Sequence, residues 1–110
     1  MIKVTIYKDA KGQCTGFKAV GHAGFSEEGQ DIVCAAVSVL TINTVNSVEQ
    51  FTDDKTSLLS DESVGLIDFQ IKGNPSEGAN LLLNSMILGL EEIAQDENYT
   101  QYMELSFEEV

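Results

Sequence analysis

The central segment of the chain, residues 32–51, reads IVCAAVSVLTINTVNSVEQF. Its apolar residues recur at helical spacing, as at Val33, Val37 and Leu40, and the segment is too long for an ordinary strand. Many of its residues are β-branched, which lowers helix propensity, but the periodicity still predicts a helix. Apolar side chains occur on nearly all sides of this helix, so a single sheet face cannot cover it. We therefore expect additional cover, which a second copy of the chain could provide.

The segments on either side of this helix predict five strands and a second helix. Apolar and polar residues alternate in the first and last of these strands, whereas Ser76 is a suitable cap for an amphipathic helix. The predicted strands are residues 2–7, 14–22, 57–60, 64–72 and 102–108, and the predicted helices are residues 32–51 and 76–95. The order ββαββαβ predicts an α+β fold, in which two helices pack on one face of a mainly antiparallel sheet.

Composition limits the compartment and the partners of the protein. The 110 residues suffice for one domain with a modest core, which we assign to residues 1–110. The start MIKVTIYKDA lacks the layout of a secretory signal, and no uninterrupted apolar run predicts a membrane span. We therefore expect a cytoplasmic protein with reduced thiols and no membrane contact. The formal charge of −12 disfavours direct nucleic-acid binding and would attract a basic polypeptide, although it also simply keeps a small domain soluble.

Cys34 and His22 are the residues best suited to nucleophilic chemistry. Asp31 is a natural N-cap for the long helix, which would make Cys34 the N3 residue. Partial positive charge at a helix start favours the thiolate, although a nearby Asp31 carboxylate would oppose it. His22, the only histidine, lies where the second strand enters the glycine-rich loop of residues 21–31. Its imidazole could accept the thiol proton and later return it to a leaving amine. Ser38, one turn beyond Cys34, could supply a hydrogen bond.

Simpler roles for these residues stay open on chemistry alone. A lone cysteine in an apolar helix is most often a core residue, and a lone histidine at a strand end is most often a surface residue. Cys14 is predicted as a bystander, because a strand of eight residues would separate it from His22 by roughly 26 Å. The two cysteines and the histidine lack the spacing of a zinc site, and the loop lacks the cations of a phosphate site. We expect no metal.

The residues around Cys34 and His22 indicate a protein family more specifically than this pair alone does. Gly21-His22-Ala23, a short acidic loop and the run GQDIVCAAVS over residues 29–38 resemble the signature of the ribosomal-processing cysteine protease family. The opening strand, the Gly16-Phe17 step and the ββαββαβ order are similar to that family over most of the chain. Residues 52–63 and the acidic C-terminal part carry no recognisable part of the signature.

The resemblance implies a cysteine endopeptidase with Cys34 as the nucleophile and His22 as the general base and acid. Gly21, Asp31 and Ser38 match positions of the same motif and would be supporting residues. The family further implies a homodimer that needs no cofactor. Its substrate is the precursor of a large-subunit ribosomal protein, the twenty-seventh of the L series, which loses an N-terminal extension before ribosome assembly.

Two of these implications agree with the residue patterns. The negative charge would suit a basic ribosomal protein, and the helix with apolar residues all round would suit a dimer. A loop with hinges at Gly21, Gly24 and Gly29 would close over an extended peptide, with Phe25 as an apolar contact. These loop residues are therefore predicted to form a substrate loop.

Two other classes of function stay open. A non-enzymatic, ribosome-associated adaptor would hold a basic partner on its acidic face, and its binding would be sensitive to salt but indifferent to alkylation of Cys34. A thiol redox sensor would need an exposed, reactive cysteine and usually a resolving thiol, for which Cys14 is predicted to lie too far away. The motif favours the protease over both.

Overall fold

The computed structural model describes residues 1–21 and 28–110, with side chains from residue 31 onward in the second range. Its strands form one sheet in the order β3-β4-β2-β1-β5, in which β1 and β5 are parallel and all other neighbours are antiparallel. The strands are β1 (Ile2–Lys8), β2 (Cys14–Val20), β3 (Thr56–Asp61), β4 (Leu66–Ile71) and β5 (Met103–Glu109). The helices are α1 (Glu28–Phe51) and α2 (Glu77–Gln95), and a short 3-10 helix (Thr100–Tyr102) precedes β5. The predicted α+β class and the order ββαββαβ are confirmed.

One face of the sheet forms the core. Phe17 lies opposite Ile6 on one side and Phe69 on the other, and all three side chains are fully buried. The rings of Phe17 and Phe69 pack with their centroids 5.8 Å apart. The opposite face is solvated, as at the pair of Thr5 and Lys18. Because side chains alternate along each strand, the helices need to cover only the apolar face.

Helix α2 follows the sequence prediction. The Oγ of Ser76 accepts a hydrogen bond from the Ala79 amide at 3.0 Å, which satisfies one of the unpaired donors at the helix start. The amide of Ser76 in turn donates to Asp54 Oδ2 at 2.8 Å, which ties the cap to the segment after α1. The apolar side of α2 is buried, with Leu83 and Leu90 fully enclosed.

Helix α1 begins earlier than predicted, at Glu28. Asp31 therefore lies inside the helix and is not its N-cap, and Cys34 lies in the second turn instead of at N3. Glutamate is a good helix former, and its charge is favourable near a helix N-terminus, so the acidic residues that indicated a loop are compatible with a first helical turn. Gly29 belongs to this turn as well, and not to the predicted loop.

The two long sides of α1 differ in their surroundings. The inner side packs on the sheet and buries Val33, Val37 and Val48. By length and mean hydropathy alone, residues Asp31–Phe51 would also fit a membrane span, but the packing of this inner side is that of a core helix. The outer side exposes an apolar stripe at helical spacing. This outer stripe of α1 comprises Ile32, Ala35 and Val39, whereas Ile42 lies at the border of the groove described below.

The sheet is wider than the helix layer. The two helices leave the outer edge of the sheet at β3 uncovered. The edge strand β3 is correspondingly exposed from Ser57 to Asp61. A groove is therefore left beside α1, above the side of β3 and β4 that faces the helix layer.

Candidate active site

The groove between α1 and the β3–β4 hairpin has a volume of about 780 Å³. Cys34, Ser38 and Ile42 line it along α1 at a spacing of four residues, so they share one side of the helix. On the opposite wall, the described lining residues include Leu58, Ser60, Asp61, Glu62, Gly65 and Ile67. Its size is within the range of pockets that bind small molecules or peptide side chains.

Cys34 is a free, half-buried cysteine at one end of this groove. Ser38 lies one turn further along α1 and lines the same groove. The hydroxyl of Thr41 donates to the Val37 carbonyl at 2.8 Å and more weakly to the Ser38 carbonyl at 3.4 Å, so it is satisfied within the helix. Because the dipole effect falls off within the first turn of a helix, the predicted activation of Cys34 from an N3 position does not apply in the second turn.

Gly21 borders the groove next to Cys34 and is held in a conformation that few other residues adopt. Its φ angle is +115°, and its amide donates to the Val64 carbonyl at 3.1 Å. A Cβ atom at this position would lie 2.5 Å from the Met1 carbonyl oxygen. Glycine is therefore required both by the backbone angle and by the close approach of β1. The chain continues from this fixed point directly to residue 22.

The turn between β3 and β4 is ordered by its own side chains. Asp61 Oδ1 accepts hydrogen bonds from the Ser63 hydroxyl at 2.6 Å and from the Ser63 amide at 2.9 Å. These two bonds lower the pKa of Asp61 and so favour its carboxylate form. The Gly65 amide donates to the Glu62 carbonyl at 3.3 Å, and Gly65 has a φ angle of +61°. The turn thus presents the Val64 carbonyl to Gly21.

Cys14 lies in a different environment from Cys34. Its side chain is fully buried at the start of β2, and its Sγ donates to the Gly16 carbonyl at 3.5 Å. Burial raises the pKa of the Cys14 thiol, which disfavours the thiolate. Cys14 is absent from the described lining of the groove. Of the two thiols, Cys34 is the one that a peptide in the groove could reach.

Some of the predicted site residues fall outside the described part of the chain. His22, Gly24 and Phe25 belong to residues 22–27, which the structure does not describe. Asp31 is described and is exposed on α1, three residues before Cys34. Among the side chains of residues 1–21 and 31–110, no group of three or more His, Cys, Asp or Glu is arranged to hold a metal ion.

The sequence interpretation missed the hairpin side of the groove. It found no part of the family signature in residues 52–63 and named no site residue there, yet Leu58 and Glu62 line the groove. One signal was available: Leu58 and Leu59 are adjacent, and in a strand two adjacent apolar residues place one on each face. Leu58 shares the core face with Phe69, so its position in an edge strand was the signal for a partly exposed lining residue.

Comparison with known proteins identifies the family. The sequence model described as cysteine protease Prp matches residues 1–104. The chain belongs to this family. It is therefore a cysteine protease, and the resemblance seen in the motif is confirmed.

Similar Prp proteins cover almost the whole chain. The ribosomal processing cysteine protease Prp of Bacillus subtilis is 33% identical over 100 residues, which are 87% of this chain and 89% of the relative. The Prp of Staphylococcus aureus solved in complex with a substrate peptide superposes with a TM-score of 0.90 at 27% identity, covering 98% of this chain and all of that one. The same protein in complex with a covalently linked product peptide gives a TM-score of 0.86 at 29% identity, with the same coverage. The Prp fold is thus shared over its full length.

Proposed function

We propose that the protein is a ribosomal-processing endopeptidase in which Cys34 is the nucleophile and His22 is the general base and acid. The observation that carries this proposal is the groove: its described residues include Cys34 and Gly21, the covalent neighbour of His22. Gly21 borders the groove next to Cys34 and directly precedes His22 in the chain. The thiol is half-buried there, so it is reachable by a peptide.

The proposed reaction divides peptide hydrolysis into two steps. His22 takes the proton from the Cys34 Sγ, and the thiolate attacks the carbonyl carbon of the scissile bond. The C–N bond then breaks, the imidazolium returns the proton to the leaving amine, and an acyl-enzyme thioester remains. Water, deprotonated by His22, hydrolyses the thioester and regenerates the thiol. Without a favourable position at the helix start, His22 is the main source of thiol activation in this scheme.

Three further residues are proposed to support this pair. Gly21 fixes the backbone at the rim of the groove, as its hydrogen bond to Val64 and its contact with Met1 indicate. Ser38 lines the groove one turn from Cys34 and is available for a polar contact with the substrate backbone. Asp31 lies on α1 three residues before Cys34, and its carboxylate is proposed to orient the imidazole of His22. The interpretation of Asp31 as a cap is not retained.

The proposed substrate is the precursor of a ribosomal protein in the cytoplasm. The relatives are named ribosomal processing proteases, and the family resemblance implies removal of the N-terminal extension from the twenty-seventh protein of the L series. The charge of this chain, −12, supports a basic partner of this kind. No cofactor is needed, because nucleophile and base are both side chains of the protein.

A homodimer is proposed as the active assembly. The outer stripe of α1 exposes three apolar side chains at helical spacing, and Val39 among them is 68% exposed. Burying such a stripe against a second copy would remove apolar surface from water on both chains. We expect Val39→Glu to convert a dimer to a monomer in light scattering coupled to size exclusion. Leu81→Glu is the control, because Leu81 is 71% exposed on α2, outside the stripe. A monomeric wild type would contradict the proposal.

The test of the catalytic pair is cleavage of the purified ribosomal precursor, followed by mass spectrometry of the products. Cys34→Ala and His22→Ala are each expected to abolish cleavage, since each removes one partner of the proton transfer. Cys14→Ala is the matched control, because it removes the other thiol at a site outside the described groove, and it is expected to cleave normally. Cleavage at the wild-type rate by folded Cys34→Ala or His22→Ala would show that the assignment is wrong.

The predicted substrate loop has a separate test. If Gly24 and Phe25 close over the peptide, hydrogen exchange of residues 22–27 in the Cys34→Ala protein should slow when a substrate peptide is added. Exchange in β5, which lies at the opposite edge of the sheet from the hairpin, provides the internal reference. Unchanged exchange of residues 22–27 under saturating peptide would argue against closure.

A further inference from the structure

The edge strand β3 carries two adjacent leucines that face opposite sides of the sheet. Leu58 lies opposite Phe69, which is buried on the core face, whereas Leu59 lies opposite Asp68 on the other face. Their side chains are similarly exposed, at 50% for Leu58 and 62% for Leu59. Of the two, only Leu58 lines the groove. Leu58 is thus an apolar side chain that faces the groove while half of its surface remains in water.

Leu58 lies toward the end of the groove that is distant from the thiol. A small recess beside Cys34 is lined by Gly65 and Ile67, so this part of β4 marks the thiol end. Leu58 pairs with Phe69, which is two residues beyond Ile67 and therefore about 7 Å further along the strand. On the opposite wall, Ile42 and Val45 continue the apolar lining. We call Ile42, Val45 and Leu58 the distal patch.

The distance from the thiol to the distal patch can be expressed in peptide residues. Ile42 follows Cys34 by eight positions, which corresponds to about 12 Å along a helix that rises 1.5 Å per residue. An extended peptide advances about 3.3 Å per residue. A peptide whose scissile carbonyl lies at Cys34 would therefore bring a side chain three or four residues away to the distal patch.

The charge of the groove limits the peptide further. Among the described lining residues, the charged side chains are Asp61 and Glu62, both at the hairpin turn. Both are carboxylates at neutral pH, so this rim of the groove is negative. An acidic peptide would be repelled there, and a neutral or basic one would not.

We propose that the distal patch is a specificity subsite of this protease, with Leu58 as its determining residue. It accepts a bulky apolar side chain located three or four residues from the scissile bond of an extended, neutral or basic peptide. The proposal rests on the proposed role of Cys34 as the nucleophile. The occupant is the substrate, because the patch is continuous with the only thiol that lines the described groove, and the substrate of a cysteine protease must lie over that thiol.

The test is a double-mutant cycle between enzyme and peptide. Synthetic peptides span the cleavage site mapped on the ribosomal precursor. In each peptide, one position carries either Leu or Ala: the third or the fourth residue from the scissile bond, on its N-terminal or its C-terminal side. Wild-type enzyme is expected to prefer Leu over Ala by about tenfold in kcat/KM at the position that reaches the patch. Leu58→Ala should lose most of this preference. Leu59→Ala should keep it, since Leu59 is a leucine of similar exposure on the other face of the same strand.

A binding measurement separates this proposal from that of the catalytic pair. Fluorescence anisotropy of the same peptides on Cys34→Ala protein, with and without Leu58→Ala, reports the preference even if the assigned nucleophile is wrong. Loss of the preference with Leu58→Ala supports the subsite in both assays. An undiminished preference in Leu58→Ala, or equal losses in Leu58→Ala and Leu59→Ala, would overturn it. Weakened self-association of Leu58→Ala in light scattering, with the preference intact, would assign the groove to a second copy instead.

Discussion

Replacement of Gly21 by alanine tests how the rim of the groove is held. Gly21 has a φ angle of +115°, and a Cβ atom there would meet the Met1 carbonyl oxygen at 2.5 Å. Met1 cannot easily yield, because the next residue, Ile2, is buried and paired with Met103 in β5. Two separate costs therefore add: a strained backbone angle and an overlap between backbone atoms.

The loss of folding stability in Gly21→Ala can be worked out by comparison with two other glycines. Gly12 and Gly73 have φ angles of +80° and +85°, and a Cβ atom at either position would meet nothing within 4 Å. Alanine at these two controls should cost only the backbone strain, about 1–2 kcal/mol. At Gly21 the overlap adds about 1–3 kcal/mol, so Gly21→Ala should cost about 2–5 kcal/mol in total. For a domain of this size each kcal/mol lowers Tm by roughly 4–8 °C.

The assay combines thermal unfolding with cleavage of the ribosomal precursor at a temperature where all three variants are folded. Gly21→Ala should show the largest fall in Tm. It should also cleave more slowly than wild type even where it is folded, because Gly21 lines the groove and precedes His22. Gly12→Ala and Gly73→Ala should keep their activity, since both glycines lie outside the described lining. The reasoning is refuted if Gly21→Ala loses no more stability than the two controls and cleaves at the wild-type rate.

Three further outcomes follow from the packing. Alkylation of the native protein should modify Cys34 before Cys14, because Cys14 is buried and its pKa is raised. Mass spectrometry of the peptides gives the order of modification. The reverse order would contradict the assignment of Cys34 as the accessible thiol. Asp54→Ala should cost about 1 kcal/mol at neutral pH, because it removes the acceptor for the Ser76 amide. Desolvation raises the pKa of Asp54, but hydrogen bonds from Ser76 outweigh it and the net pKa is lowered, so this stabilisation is present above the ordinary value of 3.8. This stabilisation is lost as the pH falls through the lowered pKa of Asp54. Denaturant titrations of wild type and Asp54→Ala should therefore give free energies of unfolding that differ less at strongly acidic pH than at neutral pH. Leu83→Ala should cost about 2–5 kcal/mol, whereas Leu81→Ala, at an exposed position of the same helix, should stay within about 0.5 kcal/mol of wild type in the same titrations.

Local patterns in the sequence were sufficient for most of the fold. Alternation over β1 and helical spacing over α2 each depend on residues a few positions apart, and the cap at Ser76 depends on an amide three residues later. The motif of residues 21–38 was sufficient for the family, since its residue types are specific at fixed spacing. The prediction that Asp31 caps the start of α1 was wrong, because glycine and acidic residues are compatible with both a loop and a first helical turn.

The groove was determined only by the tertiary structure. Cys34 and Leu58 are separated by the rest of α1 and the segment after it, and they share a groove because α1 packs beside the exposed edge of the sheet. Likewise, the requirement for glycine at position 21 comes from Met1, at the other end of a hairpin. Periodicity and caps are properties of neighbours in the chain, whereas the width of a sheet and the close approach of two strands are properties of packing, which a single segment does not contain.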